Sequence, residues 1–287
     1  MVNQLSLQAK LLRRTFRRTK QHAKFADSSI SAVPVLFANS FPKSGTHLLT
    51  QVLAAFSDLG PVVNSGLPAI LTYDGPTGQQ RPTNKILREI NRLLPGDVGY
   101  GHLHALPEIV AAICRTGIAP YFVYRDPRDV VVSHVHYLTE LAPNHVHHHF
   151  YKYELQNFDE RLRISILGRP ELDIYFPDVR ARFDPYMDWL DAAEVLTLRF
   201  EDFITNPNPT LGRVFDHAVN RGFISKFERP LAVNILAGNI DPKRSPTFRS
   251  GKVGGWQKSF TDQNKALFKQ TTGDLLIRLG YEKDNDW

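Results

Sequence analysis

The stretch VPVLFANSFPKSGTHLLTQVLAAF, residues 33–56, decides how the chain is organised. Pro34 to Ala38 is an apolar run of strand length, and from His47 to Phe56 the Leu, Val and Ala residues recur with helical spacing. Lys43-Ser44-Gly45-Thr46 therefore fills a turn between a buried strand and a helix. The first turn of a helix presents backbone N–H groups with no intrahelical partner and the positive end of the peptide dipole, so such a turn is an anion site. Lys43 adds a cation, Gly45 lets the backbone approach closely, and Ser44 and Thr46 add hydroxyl donors. Phosphate is the guest this chemistry suits. A nucleoside-triphosphate loop would read Gly, four residues, then Gly-Lys-Ser/Thr. Here the glycine follows Lys43-Ser44, so both order and spacing depart from that pattern.

Outward from this unit, helical and strand patterns alternate. Helices are predicted over 84–94, 107–116, 130–138, 184–193, 209–221 and 262–279, and further strands over 98–103, 121–124 and 195–200. Residues 60–81 read as loop, 241–260 as irregular, and 142–184 as a variable insertion or lid carrying His145, His147, His148 and His149. The alternation predicts an α/β protein, a P-loop NTPase-like three-layer α/β/α arrangement around a central parallel sheet. Ligands of such sheets bind beyond the carboxyl ends of the strands, where both the Lys43 turn and Arg125 fall.

The 287 residues carry a net charge of +6, of which residues 1–24 supply seven cations and no acid, leaving the rest of the chain at about −1. A basic fold surface for nucleic acid is therefore not expected. The chain divides into a basic amphipathic N-terminal extension, 1–30, and a main domain, 31–287. In the extension Leu5, Leu7, Leu11, Leu12, Phe16 and Phe25 interleave with the cations, a composition suited either to an anionic membrane surface or to a solvated helix preceding the domain. The single cysteine, Cys114, excludes an internal disulfide framework and fits a cytoplasmic location, and it reads as a small buried hydrophobe. No apolar run is long enough to span a membrane, and no secretory signal core is expected at the N-terminus.

Two further motifs carry chemistry. YRDPRDVVVSHVHY, 124–137, places Arg125 at a strand end and Ser133 about two turns into the next helix, so a guanidinium fork and a hydroxyl can converge on one phosphate. The other reading of Asp126, Arg128 and Asp129 is a surface ion-pair cluster. FRSGKVGGWQKSFT, 248–261, sets Arg249 and Lys252 among three glycines, which can bring backbone N–H groups close to a phosphate.

Taken in order, these elements resemble the cytosolic sulfotransferase family over about residues 34–281. FPKSGT resembles its 5′-phosphosulfate loop, YRDPRDVVVSHVHY its 3′-phosphate segment, LRFEDF (198–203) its segment near the adenine, and FRSGKVGGWQKSFT the loop over the nucleotide. The resemblance implies 3′-phosphoadenosine 5′-phosphosulfate as co-substrate and no metal. It implies that Lys43, Ser44, Gly45, Thr46 and His47 bind the 5′ end, Arg125 and Ser133 the 3′-phosphate, and Phe200, Arg249, Ser250 and Gly251 the nucleotide. Lys43 would also stabilise charge on the bridging oxygen. The family's base is a histidine ahead of the 3′-phosphate strand, and YGHLHALPEI offers His102 and His104; an imidazole is the natural proton acceptor near neutral pH. The chain departs from the family pattern at Tyr100, Leu48, Phe200, Gly255 and Gln257, where a lysine, a tryptophan, a tyrosine, an aspartate and a basic residue are usual.

The expected activity is sulfuryl transfer to a hydroxyl or amine of a small-molecule, lipid or saccharide acceptor, with possible peripheral membrane contact through residues 1–24. Two rivals stand beside it: a P-loop nucleotide phosphotransferase, which needs a Mg²⁺-holding carboxylate, and a non-catalytic membrane or polyanion-binding protein using the basic segment. The histidine run raises a metal site as an alternative, but its spacing lacks the paired cysteines or carboxylates such sites use.

Overall fold

The computed structural model describes residues 2–26, 29–75, 77–174, 176–245 and 251–287. Strands β1 (Val35–Ser40), β2 (Val63–Asn64), β3 (Ile70–Leu71), β4 (Asp97–His102), β5 (Ile118–Tyr124) and β6 (Leu196–Arg199) form one sheet. Its order is β2-β4-β1-β5-β6, with β3 also on β4, and every pairing is parallel. β1 is buried at all six positions. Val35 and Phe37 enter the core on one face of the sheet while Leu36 and Ala38 enter the core on the other. Burial on both faces is why this strand and β5 read as continuous apolar runs rather than as an alternation.

The helices are α1 (Val2–Lys24), α2 (Thr46–Ala55), α3 (Thr83–Ile90), α4 (Pro107–Cys114), α5 (Pro127–His136), α6 (Phe158–Leu167), α7 (Val179–Phe183), α8 (Phe200–Thr205), α9 (Pro207–Asn220), α10 (Arg229–Gly238), α11 (Asp262–Thr272) and α12 (Leu275–Arg278). Leu49 and Val52 of α2, Leu211 of α9 and Leu236 of α10 cover one face; Ile86 of α3, Ile109 of α4, Val131 of α5 and Phe268 of α11 cover the other. The three expected layers are present.

Three differences from the sequence reading have physical causes. The described residues of 142–184 contribute to the core: Phe150, Tyr151, Leu162, Ile166 and Val179 are buried on α6, α7 and a π-helical turn at Phe150–Glu154, and Phe176 is buried in an isolated bridge to Arg169. Short helices joined by π turns break the 3.6-residue rhythm, so the segment reads as loop. The closing helix is cut in two at Gly273, whose φ of 56° caps α11. Phe200, expected at the end of a strand, instead starts α8. The helix α10 had no sequence-level expectation.

The basic segment packs along the sheet edge. Arg14 and Arg18 of α1 reach the two carboxylate oxygens of the fully buried Asp97 at 3.1 and 3.0 Å. Gln21 donates to the carbonyls of Ser57 and Gly60, and Arg17 donates to that of Asn64 on the edge strand β2. An open parallel edge is thereby covered. Leu12 and Phe16, on the outer side of α1, are each 73% exposed. No helix among the described residues is long and apolar enough to cross a membrane.

Candidate active site at the carboxyl rim of the sheet

Because the strands are parallel, Ser40, His102 and Tyr124 end β1, β4 and β5 at one rim, and the end of β6 delivers Phe200 there. The turn after β1 has an unusual backbone. Lys43 has φ 67° and Gly45 φ 96°, and Gly45 is the N-cap of α2 with no side chain capping the first turn. A Cβ on Gly45 would lie 2.5 Å from Phe200 Cδ2, so glycine is required both for the angle and for the approach of the ring. The N–H groups of the α2 first turn remain available to an anion.

Lys43 Nζ lies 4.1 Å from the centroid of the Tyr137 ring. Burial, with Arg125 nearby, lowers its pKa to about 8. Ser44 is fully buried, and its Oγ has no hydrogen-bond partner among the described residues. Thr46 Oγ1 meets Ser40 Oγ at 2.7 Å. His47, in the first turn of α2, has its pKa lowered by burial and by Lys43 beside it.

His102 Nδ1 lies 3.0 Å from the Ser40 carbonyl oxygen and 3.1 Å from Ser40 Oγ. A carbonyl can only accept, so this bond puts the proton on Nδ1 and leaves Nε2 with a lone pair. Burial lowers the His102 pKa, with His47 and Lys43 adding to the effect, so the ring is held neutral. The following residue is locked in place. Asn39 Nδ2 donates to the Leu103 carbonyl at 3.0 Å, Leu103 N donates to Asn39 Oδ1 at 2.8 Å, and Trp189 Nε1 donates to the same carbonyl at 2.7 Å. His104 sits differently. Its ring stands edge-on between Tyr73 and Tyr186, at 5.3 and 4.8 Å, and burial lowers its pKa to about 4.

Arg125 completes the rim. Its Nη2 donates to Asp129 Oδ2 at 3.2 Å and to the Lys252 carbonyl at 2.8 Å, and its guanidinium lies 4.6 Å from the Phe200 ring centroid. Its buried Nε has no partner among the described residues. Asp129 also accepts from Gly254 N at 3.0 Å and Trp256 N at 2.8 Å, fastening the glycine-rich loop to the start of α5. Ser133 is half-buried one helical turn beyond Asp129 on the same helix face. Gly251, with φ 59°, leads into that loop. Arg249 and Ser250 lie outside the described residues.

The ion-pair cluster considered for this segment exists, but it is buried. Arg128 pairs with Asp126 at 2.8 Å and Glu282 at 2.6 Å, and lies between the rings of Trp256 and Trp287. Asp126, Arg128 and Asp129 are all under 9% exposed. The structure thus brings Lys43, Ser44, Gly45, Thr46, His47, His102, Arg125 and Phe200 to one rim, while His104 belongs to an aromatic cluster beside it. Asn39, Ser40 and Asp129 were not singled out for this site. Two polar residues ending an otherwise apolar strand, Asn39-Ser40, were the available signal for the first two.

The histidine run is used structurally. His147 packs on His145 and Phe176, with ring centroids 5.5 and 5.1 Å away, and His148 Nδ1 lies 2.5 Å from the Leu138 carbonyl oxygen. No group of three or more metal-ligating side chains comes together among the described residues.

Neither a protein-family model nor a curated protein matches the sequence. Solved structures do match. Retinol dehydratase in complex with androsterone and the inactive cofactor PAP is 16% identical, with a TM-score of 0.56 over 90% of this chain and 85% of that one. Mouse sulfotransferase SULT7A1 complexed with PAP is 20% identical, with a TM-score of 0.56 over 92% and 91%. Retinol dehydratase with retinol and PAP is 16% identical, with a TM-score of 0.55 over 86% and 83%. The chain therefore has a cytosolic sulfotransferase-like fold, the P-loop NTPase-like three-layer architecture.

Proposed function

We propose that the protein is a sulfotransferase that moves a sulfuryl group from 3′-phosphoadenosine 5′-phosphosulfate to a hydroxyl or amine of an acceptor. The observation that carries this reading is the meeting, at one rim, of a helix N-terminus without a side-chain cap, Lys43, the neutral imidazole of His102 and two buried donors, Ser44 Oγ and Arg125 Nε, that have no partner among the described residues. A buried unmet donor costs about 1–3 kcal/mol, and the oxygens of a phosphorylated ligand would satisfy both. Lys43, Ser44, Gly45, Thr46 and His47 hold the 5′ end, Arg125 and Ser133 the 3′-phosphate, and Phe200 and Gly251 flank the nucleotide. Arg249 and Ser250 are assigned to it by resemblance alone. The PAP-bound structural neighbours support the same donor.

The donor supplies a sulfuryl group already activated by its link to phosphate. His102 Nε2 takes the acceptor's proton as the acceptor oxygen or nitrogen bonds to sulfur. Lys43 and the α2 N–H groups stabilise the negative charge left on the bridging oxygen as the old S–O bond breaks, a field already in place before reaction. His102 then releases its proton to solvent. Asn39 and Trp189 act through the Leu103 backbone and keep the imidazole in position. A nucleotide phosphotransferase would need a carboxylate for Mg²⁺, and Asp126 and Asp129, which follow Arg125, are committed to Arg128 and Arg125.

The aromatic groups beside the base, Phe41, Tyr73, His104 and Tyr186, favour an apolar small-molecule acceptor; the neighbours crystallised with androsterone and retinol point the same way. We also propose peripheral contact with an anionic membrane through α1, because Leu12 and Phe16 project outward beside Arg13 and Lys20. Co-sedimentation with anionic but not neutral vesicles, lost in Leu12→Ser/Phe16→Ser, is the expected result; equal recovery with both vesicle types would count against it.

The donor assignment is tested by titration calorimetry with 3′-phosphoadenosine 5′-phosphate in the absence of Mg²⁺. Micromolar binding by the wild type and at least a tenfold loss in Arg125→Ala are expected. Failure of the folded wild type to bind, with binding of Mg²⁺-ATP instead, would replace this reading with phosphotransfer.

A further inference from the structure

Away from the rim, a pocket of about 320 Å³ lies between α1, the residues joining β2 to β3, and the α3 side of β4. Its size falls within the ~300–1,000 Å³ range of small-ligand sites. Its residues are separate from those assigned to the donor.

The lining is two-sided. Leu7, Leu67, Pro68, Ile70 and Leu93 form an apolar wall, with Ile70 and Leu93 closing its inner end at 4% and 5% exposure. Lys10 and Arg92 lie on the solvent side, half-buried and exposed respectively. The one carboxylate in the lining, Glu89, is held by Arg81 through two hydrogen bonds of 2.9 and 2.5 Å. Neither Lys10 nor Arg92 has a side-chain hydrogen bond or ion pair among the described residues. The pocket thus presents two uncompensated cations above an apolar interior. Ser65, Gly99 and Tyr100 complete the lining.

We infer that this pocket binds an amphipathic molecule with a compact apolar body and an anionic head, carboxylate or phosphate. The apolar body fills the space against Ile70, Leu67 and Leu93, and the head pairs with Lys10 and Arg92. The site is tied to α1, which supplies Leu7 and Lys10, so occupancy also stabilises the packing of that helix on the sheet edge. Gly99 and Tyr100 of β4 are among the lining residues, so a ligand here sits against the strand that carries the proposed base.

The test uses the full chain and calorimetry with dodecanoate and dodecyl phosphate, each below its critical micelle concentration, with dodecanol as the neutral comparison. Saturable binding of at least one anion is expected, at least tenfold weaker for the Lys10→Glu/Arg92→Glu variant. Leu67→Trp, which fills the pocket, should abolish binding, and every variant should keep wild-type affinity for 3′-phosphoadenosine 5′-phosphate. Binding of dodecanoate alone identifies a carboxylate head, and of dodecyl phosphate alone a phosphate head. Absence of binding by either anion, or equal binding of dodecanol with no effect of the variants, would overturn the inference. Because the nucleotide is titrated separately, loss of the donor reading and loss of this one are distinguishable.

Discussion

Asp129→Asn probes how the rim is held together. The Asp129 carboxylate is 3% exposed and accepts three hydrogen bonds, from Arg125 Nη2, Gly254 N and Trp256 N. Hydrogen bonds to a charged group contribute about 1.5–3 kcal/mol, and those between neutral groups about 0.5–1.5. Replacing the carboxylate by an amide weakens each of the three by about 1 kcal/mol. It also turns an NH₂ group toward donors, since only one oxygen remains. Relief of the cost of burying the charge offsets part of this, so a net destabilisation of about 2–4 kcal/mol is expected. For a chain of this size that corresponds to a fall in Tm of roughly 4–16 °C by differential scanning calorimetry. The same substitution loosens the glycine-rich loop and leaves Arg125 without its ionic partner. Affinity for 3′-phosphoadenosine 5′-phosphate should therefore fall by about tenfold, about 1.4 kcal/mol. A variant with Tm within 1 °C of wild type and unchanged nucleotide affinity would refute the idea that Asp129 couples the loop to Arg125.

Two further predictions concern the turn and the base. Gly45→Ala forces a side chain into a left-handed backbone position and against Phe200, and should cost about 1–3 kcal/mol in urea denaturation together with loss of nucleotide binding; a change below about 0.5 kcal/mol would mean that the approach of Phe200 to the turn is not tight. On the proposed mechanism the pH profile of kcat/KM should be bell-shaped, with His102 acting neutral and Lys43 protonated. Its acid limb should lie below 6.5, since burial lowers the His102 pKa, and its alkaline limb near 8, the value of Lys43. Lys43→Arg should move the alkaline limb upward, and an alkaline limb that stays at the same pH in that variant would assign it to another group. His102→Ala should lose turnover far more severely than His104→Ala; the reverse order would shift the base to His104.

The strand-turn-helix unit was legible in the sequence because its signals are local. A buried parallel strand must be apolar throughout, a helix must repeat its apolar residues every three or four positions, and a turn between them must leave N–H groups free. Lys43 to Thr46 and Arg125 were therefore singled out as candidates from spacing, His47 only by resemblance, and the parallel sheet brings them to one rim. What spacing could not supply was the difference in surroundings between His102 and His104. His102 meets the Ser40 carbonyl, a contact across 62 residues of sequence, whereas His104 is enclosed by Tyr73 and Tyr186.

The basic segment shows the same division. Its composition announces a charged amphipathic helix, but Arg14 and Arg18 turn inward because Asp97, buried at the start of β4, needs partners, and this leaves Leu12 and Phe16 outside. Residues 142–184 look like loop in one dimension because short helices and π turns carry no single period, yet their aromatic residues fill the core over α5. The sequence by itself determined the α/β alternation and the strand-turn-helix unit with its open helix N-terminus, which follow from periodicity and backbone chemistry over a dozen residues. Tertiary structure alone decided the tautomer of His102, the fastening of the loop by Asp129 and the inverted face of α1, because each depends on burial against residues far away in the chain.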